Sequence, residues 1–287
     1  MYREQHIRSA ELLQVLLLDN LYALSGSEHI MFQGGTAIRW IHGGMRFSED
    51  LDFVTHLPFK KLSGILDRLY KKMSGACTAQ FGPGSMEYTT REKQNSLKTF
   101  FIFRPERRRE RIAVKLEYEH LIHNTTPRTE QHILRDLPSV IGLVTSGNLI
   151  MPYSSSIVVA ETQEQILSDK VRALYERTYL KGRDLYDIWW LHRNLGIRPS
   201  WPTTRDTFHL YQTAFSPKRQ AKYFQQDESI TSMREALSRD LSRFLPSTLV
   251  AQYEAQRFSP VIESVRDVTG TLLQHGMQDF LARYNLV

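Results

Sequence analysis

Two short runs hold the residue types for phosphate chemistry: Gly34-Gly35-Thr36 and Ser48-Glu49-Asp50-Leu51-Asp52-Phe53. In a β-strand, residues two apart project from the same face, so Asp50 and Asp52 would stand together about 7 Å apart along the strand. Carboxylates that near each other repel unless a cation lies between them, and a hard, oxygen-seeking ion such as Mg²⁺ suits the place. A glycine turn offers free backbone N–H groups to a phosphate. Metal and phosphate cradle together are the minimum for moving a phosphoryl or nucleotidyl group. If the strand begins by Ser48, that hydroxyl shares the acidic face while Leu51 and Phe53 turn to the core. The plainer reading of an Asp-x-Asp is an edge strand with its polar side in water. The neighbouring glycines, Arg39 and Arg46 weigh against it, and Arg46 could pair with either a carboxylate or a phosphate.

Three further groups could join these acids. Residues 112–119 alternate, with Ile112, Val114, Leu116 and Tyr118 on one face and Ala113, Lys115, Glu117 and Glu119 on the other. A strand placed beside the first would set Glu117 against Asp50 and Asp52 as a third metal ligand; otherwise it is a surface glutamate paired with Lys115. In the helical run 161–179, Lys170 lies three residues after Leu167 and four before Leu174. That puts an ammonium on the inward stripe, where it needs a phosphate or a carboxylate unless its head snorkels into water. Arg177 follows on the same side. Asp184 and Asp187 are neighbours on one helix face. Either could act as a base toward an attacking hydroxyl or bind Lys170, and Asp184 also suits a helix N-terminus.

The elements that must position these residues can be read from the pattern. Residues 7–24 have helical apolar spacing. His29 to Gln33 reads as a short buried strand, Thr36 to Ile41 as a short helix with Thr36 at its N-cap, and Gly43-Gly44 as its end. Asp50 to Val54 is the second strand and Phe59 to Met73 an amphipathic helix. Strand signals follow at 87–90, 97–103 and 112–119, with weaker ones over 139–150 and 156–159 around Pro152. From Glu161 onward helical spacing dominates, punctuated by Gly and Pro. The expected fold class is α+β: a mixed-sheet α/β domain over 1–157 and an α-helical domain over 158–287 that adds Lys and Asp to the cleft.

The 287 residues, 41% hydrophobic and 24% charged, are those of a globular protein able to build a sizeable core. A single cysteine, Cys77, excludes an internal disulfide and a cysteine-based zinc cluster. The N-terminus lacks a signal-peptide layout, and the apolar run Leu12 to Leu18 is broken by Gln14, so no membrane span is expected and a cytoplasmic location is inferred. The net charge of +6 is compatible with a polyanion such as RNA. Arg104, Arg107, Arg108, Arg109 and Arg111 crowd one segment, which is either a solvated hairpin tip or a nucleic-acid contact.

Four ordered blocks carry a family resemblance: Gly34 to Arg39 (Gly-Gly-Thr-Ala-Ile-Arg), Arg46 to Phe53 (Arg-Phe-Ser-Glu-Asp-Leu-Asp-Phe), Lys170 to Arg177 (Lys-Val-Arg-Ala-Leu-Tyr-Glu-Arg) and Arg183 to Leu191 (Arg-Asp-Leu-Tyr-Asp-Ile-Trp-Trp-Leu). The chain resembles the AbiEii/AbiGii toxins, within the DNA polymerase β-like nucleotidyltransferase superfamily, and is similar to the MenT toxins. The resemblance implies the toxin half of a toxin–antitoxin pair, with a separately encoded antitoxin. For MenT-like members it implies Mg²⁺-dependent transfer of nucleotides from an NTP to the 3′ acceptor end of tRNA, blocking translation. By position it implies Ser48 near the phosphates, Asp50 and Asp52 on the metal, Lys170 on the triphosphate, and Asp184 or Asp187 as the downstream catalytic aspartate; Glu117 is the residue available as third metal ligand. The expected nucleotide-binding set is Gly34, Gly35, Thr36, Arg46, Ser48, Lys170 and Arg177. The same fold could instead modify a protein or a small molecule, or bind nucleotide or RNA without turnover.

Overall fold

The computed structural model describes residues 4–107, 110–151 and 156–284. Its strands are β1 (Ile30–Gln33), β2 (Asp50–Thr55), β3 (Gly84–Lys93), β4 (Ser96–Pro105), β5 (Ile112–His120), β6 (Thr129–Ile133) and β7 (Ile157–Glu161). They form one mixed sheet in the order β3-β4-β5-β2-β1-β7-β6. β2 runs antiparallel to β1 and parallel to β5, with Asp50 opposite Lys115 and Asp52 opposite Glu117. The helices of the first half are α1 (Glu4–Tyr22), α2 (Gly34–Trp40), α3 (Phe59–Phe81) and α4 (Pro138–Thr145). Those of the second are α5 (Gln163–Glu176), α6 (Gly182–Trp189), α7 (Trp201–Phe208), α8 (Glu228–Leu241), α9 (Ser247–Ala255), α10 (Ser259–Leu272) and α11 (Gln278–Ala282). Among the described residues no helix is long and apolar enough to cross a membrane.

The alternation read over 112–119 matches β5: Ile112, Val114, Leu116 and Tyr118 are buried while Lys115, Glu117 and Glu119 reach the opposite, wetter side. Leu51 and Phe53 of β2 enter the same core, which continues through Leu16 and Leu17 of α1 to Leu167 and Leu174 of α5. Gln14, the polar residue inside the α1 apolar run, is fully buried and has a purpose there. Its amide donates to the Ser48 carbonyl at 2.6 Å and accepts from Trp40 Nε1 at 3.1 Å, fixing the approach to β2.

Several boundaries differ from the sequence reading. α2 begins at Gly34, two residues before Thr36, and Gln33 stands at its N-cap. Thr36 is therefore inside the helix, and its hydroxyl donates to the Asp50 carbonyl. α3 runs eight residues past Met73. The strand signal over 139–150 is wrong: Pro138 opens helix α4, in which Val140 is buried and Ile141 exposed. β6 went unread because it has one apolar residue, Ile133, and pairs only with β7. β7 crosses the expected boundary at 157 and pairs parallel with β1, so the sheet takes strands from both sides of it. Arg104 pairs with Glu87 at 2.6 Å on the exposed β3–β4 surface, with Arg107 and Arg111 also exposed. Arg108, Arg109 and Pro152 lie outside the described residues.

Candidate active site

A cleft of about 560 Å³ opens between the ends of β2, β4 and β5 and the helices α5 and α6. One wall is made by strands. Because Asp50 and Asp52 are two apart on β2, both project into it, as the period-two rule requires. Parallel pairing with β5 adds Lys115 and Glu117 beside them. Lys115 Nζ lies 2.9 Å from Asp50 Oδ2 and also contacts Glu117, whose other oxygen is 3.0 Å from Lys98 Nζ of β4. Burial opposes ionisation of Glu117, but Lys115 and Lys98 outweigh it and lower its pKa.

The glycines at the end of β1 make room for this wall. Gly34 adopts φ +77°, and a Cβ there would sit 2.8 Å from Asp52 Oδ2. A Cβ on Gly35 would strike the Arg46 guanidinium and crowd Ser48 Oγ at 3.2 Å. Ser48, just before β2 rather than on it, still lines the cleft.

The opposite wall is helical. Lys170 on α5 points inward, as its place on the apolar stripe requires, and its ammonium lies 2.9 Å from Asp184 Oδ1 and 2.8 Å from Asp187 Oδ2. Asp187 also receives a bidentate pair from Arg46, at 2.5 and 2.6 Å. Arg177 Nε completes the set, 3.2 Å from Asp184 Oδ2. Burial disfavours both carboxylates; Lys170 and Arg177 at Asp184, and Arg46 and Lys170 at Asp187, outweigh it and hold both below the usual carboxylate range. Burial likewise opposes the charge on Lys170, but the two aspartates win and raise its pKa. This is a buried network in which each charge is compensated by another.

The expected site residues thus converge, with four corrections to their roles. Thr36 does not line the cleft; its hydroxyl is spent on the β2 backbone. Arg46 reaches the cleft, but its guanidinium is taken by Asp187 and the Phe47 carbonyl. Asp187 lies behind the wall and holds Arg46 and Lys170, whereas Asp184 lines the cleft. Glu117 faces Asp52 but is held by two lysines, and among the described residues no three acidic, histidine or cysteine side chains are grouped to hold a metal.

The donors that fit a divalent cation are therefore Asp50 and Asp52. Burial, together with the negative charges of Asp50 and Glu117, pushes the Asp52 carboxyl up to about 6 against the opposing pull of Lys170 and Arg183. Hard oxygen donors of this kind suit a cation like Mg²⁺.

Sequence reasoning missed other groups in the cleft. Glu119, two residues beyond Glu117, was on the correct face; burial raises it to about 7, with Asp169 and Glu176 adding to the rise and Arg172 opposing it. Asp169 precedes Lys170 and accepts from Tyr211, which also donates to Gln33 Oε1 at 3.2 Å. Glu161, at the end of β7, is fully buried near Asp169, and burial and that neighbour push its pKa well up. Tyr211 lies in a long irregular stretch and gave no periodic signal. Lys181 and Arg183 flank Gly182 just before and at the start of the Arg183 to Leu191 block, yet no rule of spacing separates them from other surface cations.

Comparison with known proteins bears on the fold and the family. No curated protein matches the chain by sequence. JHP933 from Helicobacter pylori has a similar crystal structure, with a TM-score of 0.55 and 14% identity over 99% of this chain and 100% of that one. A candidate nucleotidyltransferase from Helicobacter pylori superposes with a TM-score of 0.54 and 16% identity, covering 95% of this chain and 98% of its own. At these identities the likeness establishes the fold alone. The family model described as nucleotidyl transferase AbiEii toxin, type IV toxin–antitoxin system, matches residues 16–263. The chain belongs to the AbiEii nucleotidyltransferase toxin family.

Proposed function

We propose that this protein transfers a nucleoside monophosphate from an NTP to the 3′ acceptor end of tRNA, in a Mg²⁺-dependent reaction in the cytoplasm that blocks translation, and that a separately encoded antitoxin restrains it. The observation that carries the reading is the pair of same-face acids, Asp50 and Asp52, opposite an inward lysine, Lys170, across one cleft. The acids suit a cation and the opposite wall suits a polyphosphate; such pairing of charges is what phosphoryl-transfer chemistry needs.

Asp50 and Asp52 would hold the metal, which when bound stabilises charge on the entering and leaving oxygens. Gly34, Gly35 and Ser48 face the phosphates, and Lys170 presents positive charge from the other side. Asp184, at the cleft, and Asp187, behind it, orient Lys170; Arg46 and Arg177 keep those acids ionised. The 3′-hydroxyl oxygen bonds to the α-phosphorus as the bridge to the β-phosphate breaks, and pyrophosphate leaves. Exposed cations such as Arg107 and Arg111 would meet the RNA backbone.

Incubating the protein with each labelled NTP and total tRNA tests the reading. The expected result is label at tRNA 3′ ends, reduced by at least ~10³-fold in Asp50→Ala. No incorporation with any NTP, or full incorporation by the variant, rejects it.

A further inference from the structure

Five carboxylates hold six of the eight cations that line the cleft. Lys115 and Lys98 lie on Asp50 and Glu117, and Arg46, Lys170 and Arg177 lie on Asp187 and Asp184. Arg172 pairs with Glu176 at 3.2 Å. Lys181 and Arg183 are different. Both line the cleft, and among the described residues neither makes an ion pair with a carboxylate. The Arg183 guanidinium lies over a ring face, Phe244, 5.8 Å from its centroid.

We propose that Lys181, with Arg183 beside it, is the seat of the terminal phosphates of the triphosphate substrate. This assignment rests on the nucleotidyl-transfer reading and moves the main source of triphosphate affinity away from Lys170. The reason is charge accounting. A phosphate approaching Lys170 must compete with two carboxylates already within 3 Å, whereas one approaching Lys181 displaces no carboxylate.

The fold holds these cations in place without neutralising them. They flank Gly182, whose N–H donates to Asp240 Oδ2 of α8 at 2.7 Å. A Cβ on Gly182 would strike the Ala236 carbonyl, so the segment lies flush against α8. The amide at this helix start is thus already used, and the side chains remain the available donors. The groups facing Lys181 are Lys170 of α5, Arg177 just past its end, and Arg183 and Asp184 of α6. Burial, then Arg177 and Arg183, outweigh Asp184 and bring the Lys181 ammonium down to about 8. An anion arriving there relieves the repulsion and returns the proton.

Calorimetric titration of the full chain with inorganic triphosphate, without divalent metal, tests the assignment independently of which NTP is used. Each of the four NTPs and its monophosphate are titrated in parallel. Lys181→Gln is expected to weaken binding of inorganic triphosphate and of the NTP substrate by ~10-fold or more, and of the monophosphate by less than about 2-fold. At pH 8, where the terminal phosphate of an NTP is already ionised, paired buffers of different ionisation enthalpy should show net proton uptake by the wild type on NTP binding, and less by the variant. Arg183→Gln should give a smaller loss with the same preference for triphosphate over monophosphate. Triphosphate affinity and proton uptake unchanged in Lys181→Gln, or equal losses for triphosphate and monophosphate, overturn the assignment while leaving nucleotidyl transfer standing. A wild type that binds neither triphosphate nor any NTP, with or without added Mg²⁺, overturns both.

Discussion

On the strand wall of the cleft, Lys115 and Asp50 keep 25% and 22% of their side chains exposed; on the helical wall, Arg46 and Asp187 keep 3% and 1%. Both walls juxtapose acids and bases, but the Arg46–Asp187 pair is sealed from the water that reaches the Lys115–Asp50 pair. An ion pair in contact with solvent is worth little and exchanges partners readily. A buried one stabilises little against an apolar replacement, yet losing one member strands an uncompensated charge. The strand wall is therefore the side able to surrender its pairings to a metal. The buried Arg46–Asp187 pair behind the helical wall keeps Lys170 in place and ionised.

The contrast is sharpest when one acid is removed from each wall. Asp187→Ala leaves Arg46 and Lys170 buried without their shared partner and is expected to destabilise the fold by ~3–5 kcal/mol, read by chemical denaturation. Glu117→Gln, which leaves partly exposed Lys98 and Lys115 free to find water, should cost no more than ~1 kcal/mol in the same assay. Equal losses would erase the distinction between the walls.

Asp52 sharpens it further through pH. Its carboxyl titrates at about 6 in the fold, above the ordinary 3.8, so the folded state holds the proton more tightly than the unfolded chain. Its favourable contribution is present below about pH 4 and is lost as pH rises through 6. Asp52→Asn removes that loss. The variant should gain on the wild type steadily between pH 4 and 6, by ~1–2 kcal/mol, with the gap constant above. Urea titrations at a series of pH values check it; a constant gap across the range would show that Asp52 is an ordinary surface acid. The smallest effect is expected at Thr36→Val, which removes the buried hydroxyl donated to the Asp50 carbonyl. A cost of about 1 kcal/mol in thermal or chemical unfolding is expected, with transfer activity retained within a few-fold.

The sequence made one wall more legible than the other. Period-two alternation carries its own geometry, so the shared face of Asp50 and Asp52, and that of Lys115, Glu117 and Glu119, could be read directly. The register that sets Asp52 against Glu117 could not, because nothing local records which strands become neighbours. Lys170 declared itself inward by interrupting a helical stripe, but its environment did not. Arg46 and Asp187 are 141 positions apart, and only the folded chain shows that the arginine is spent on the aspartate. The misread helix α4 has a high apolar content without a clear stripe, so composition stood in for periodicity there. β6 failed for the opposite reason: its polar residues look like a loop, and its pairing with β7 is what makes it a strand.

The strand order has a practical consequence. β7 is the parallel neighbour of β1 and, among the described residues, the one strand paired with β6, and Tyr22 of α1 donates its hydroxyl to carbonyls on both β1 and β7. A polypeptide ending near residue 156 would uncover the edge of β1 that β7 covers and leave β6 without that partner. Severing the chain there should yield an aggregation-prone fragment rather than an autonomous catalytic half, and adding the missing C-terminal piece in trans should rescue solubility by completing the sheet.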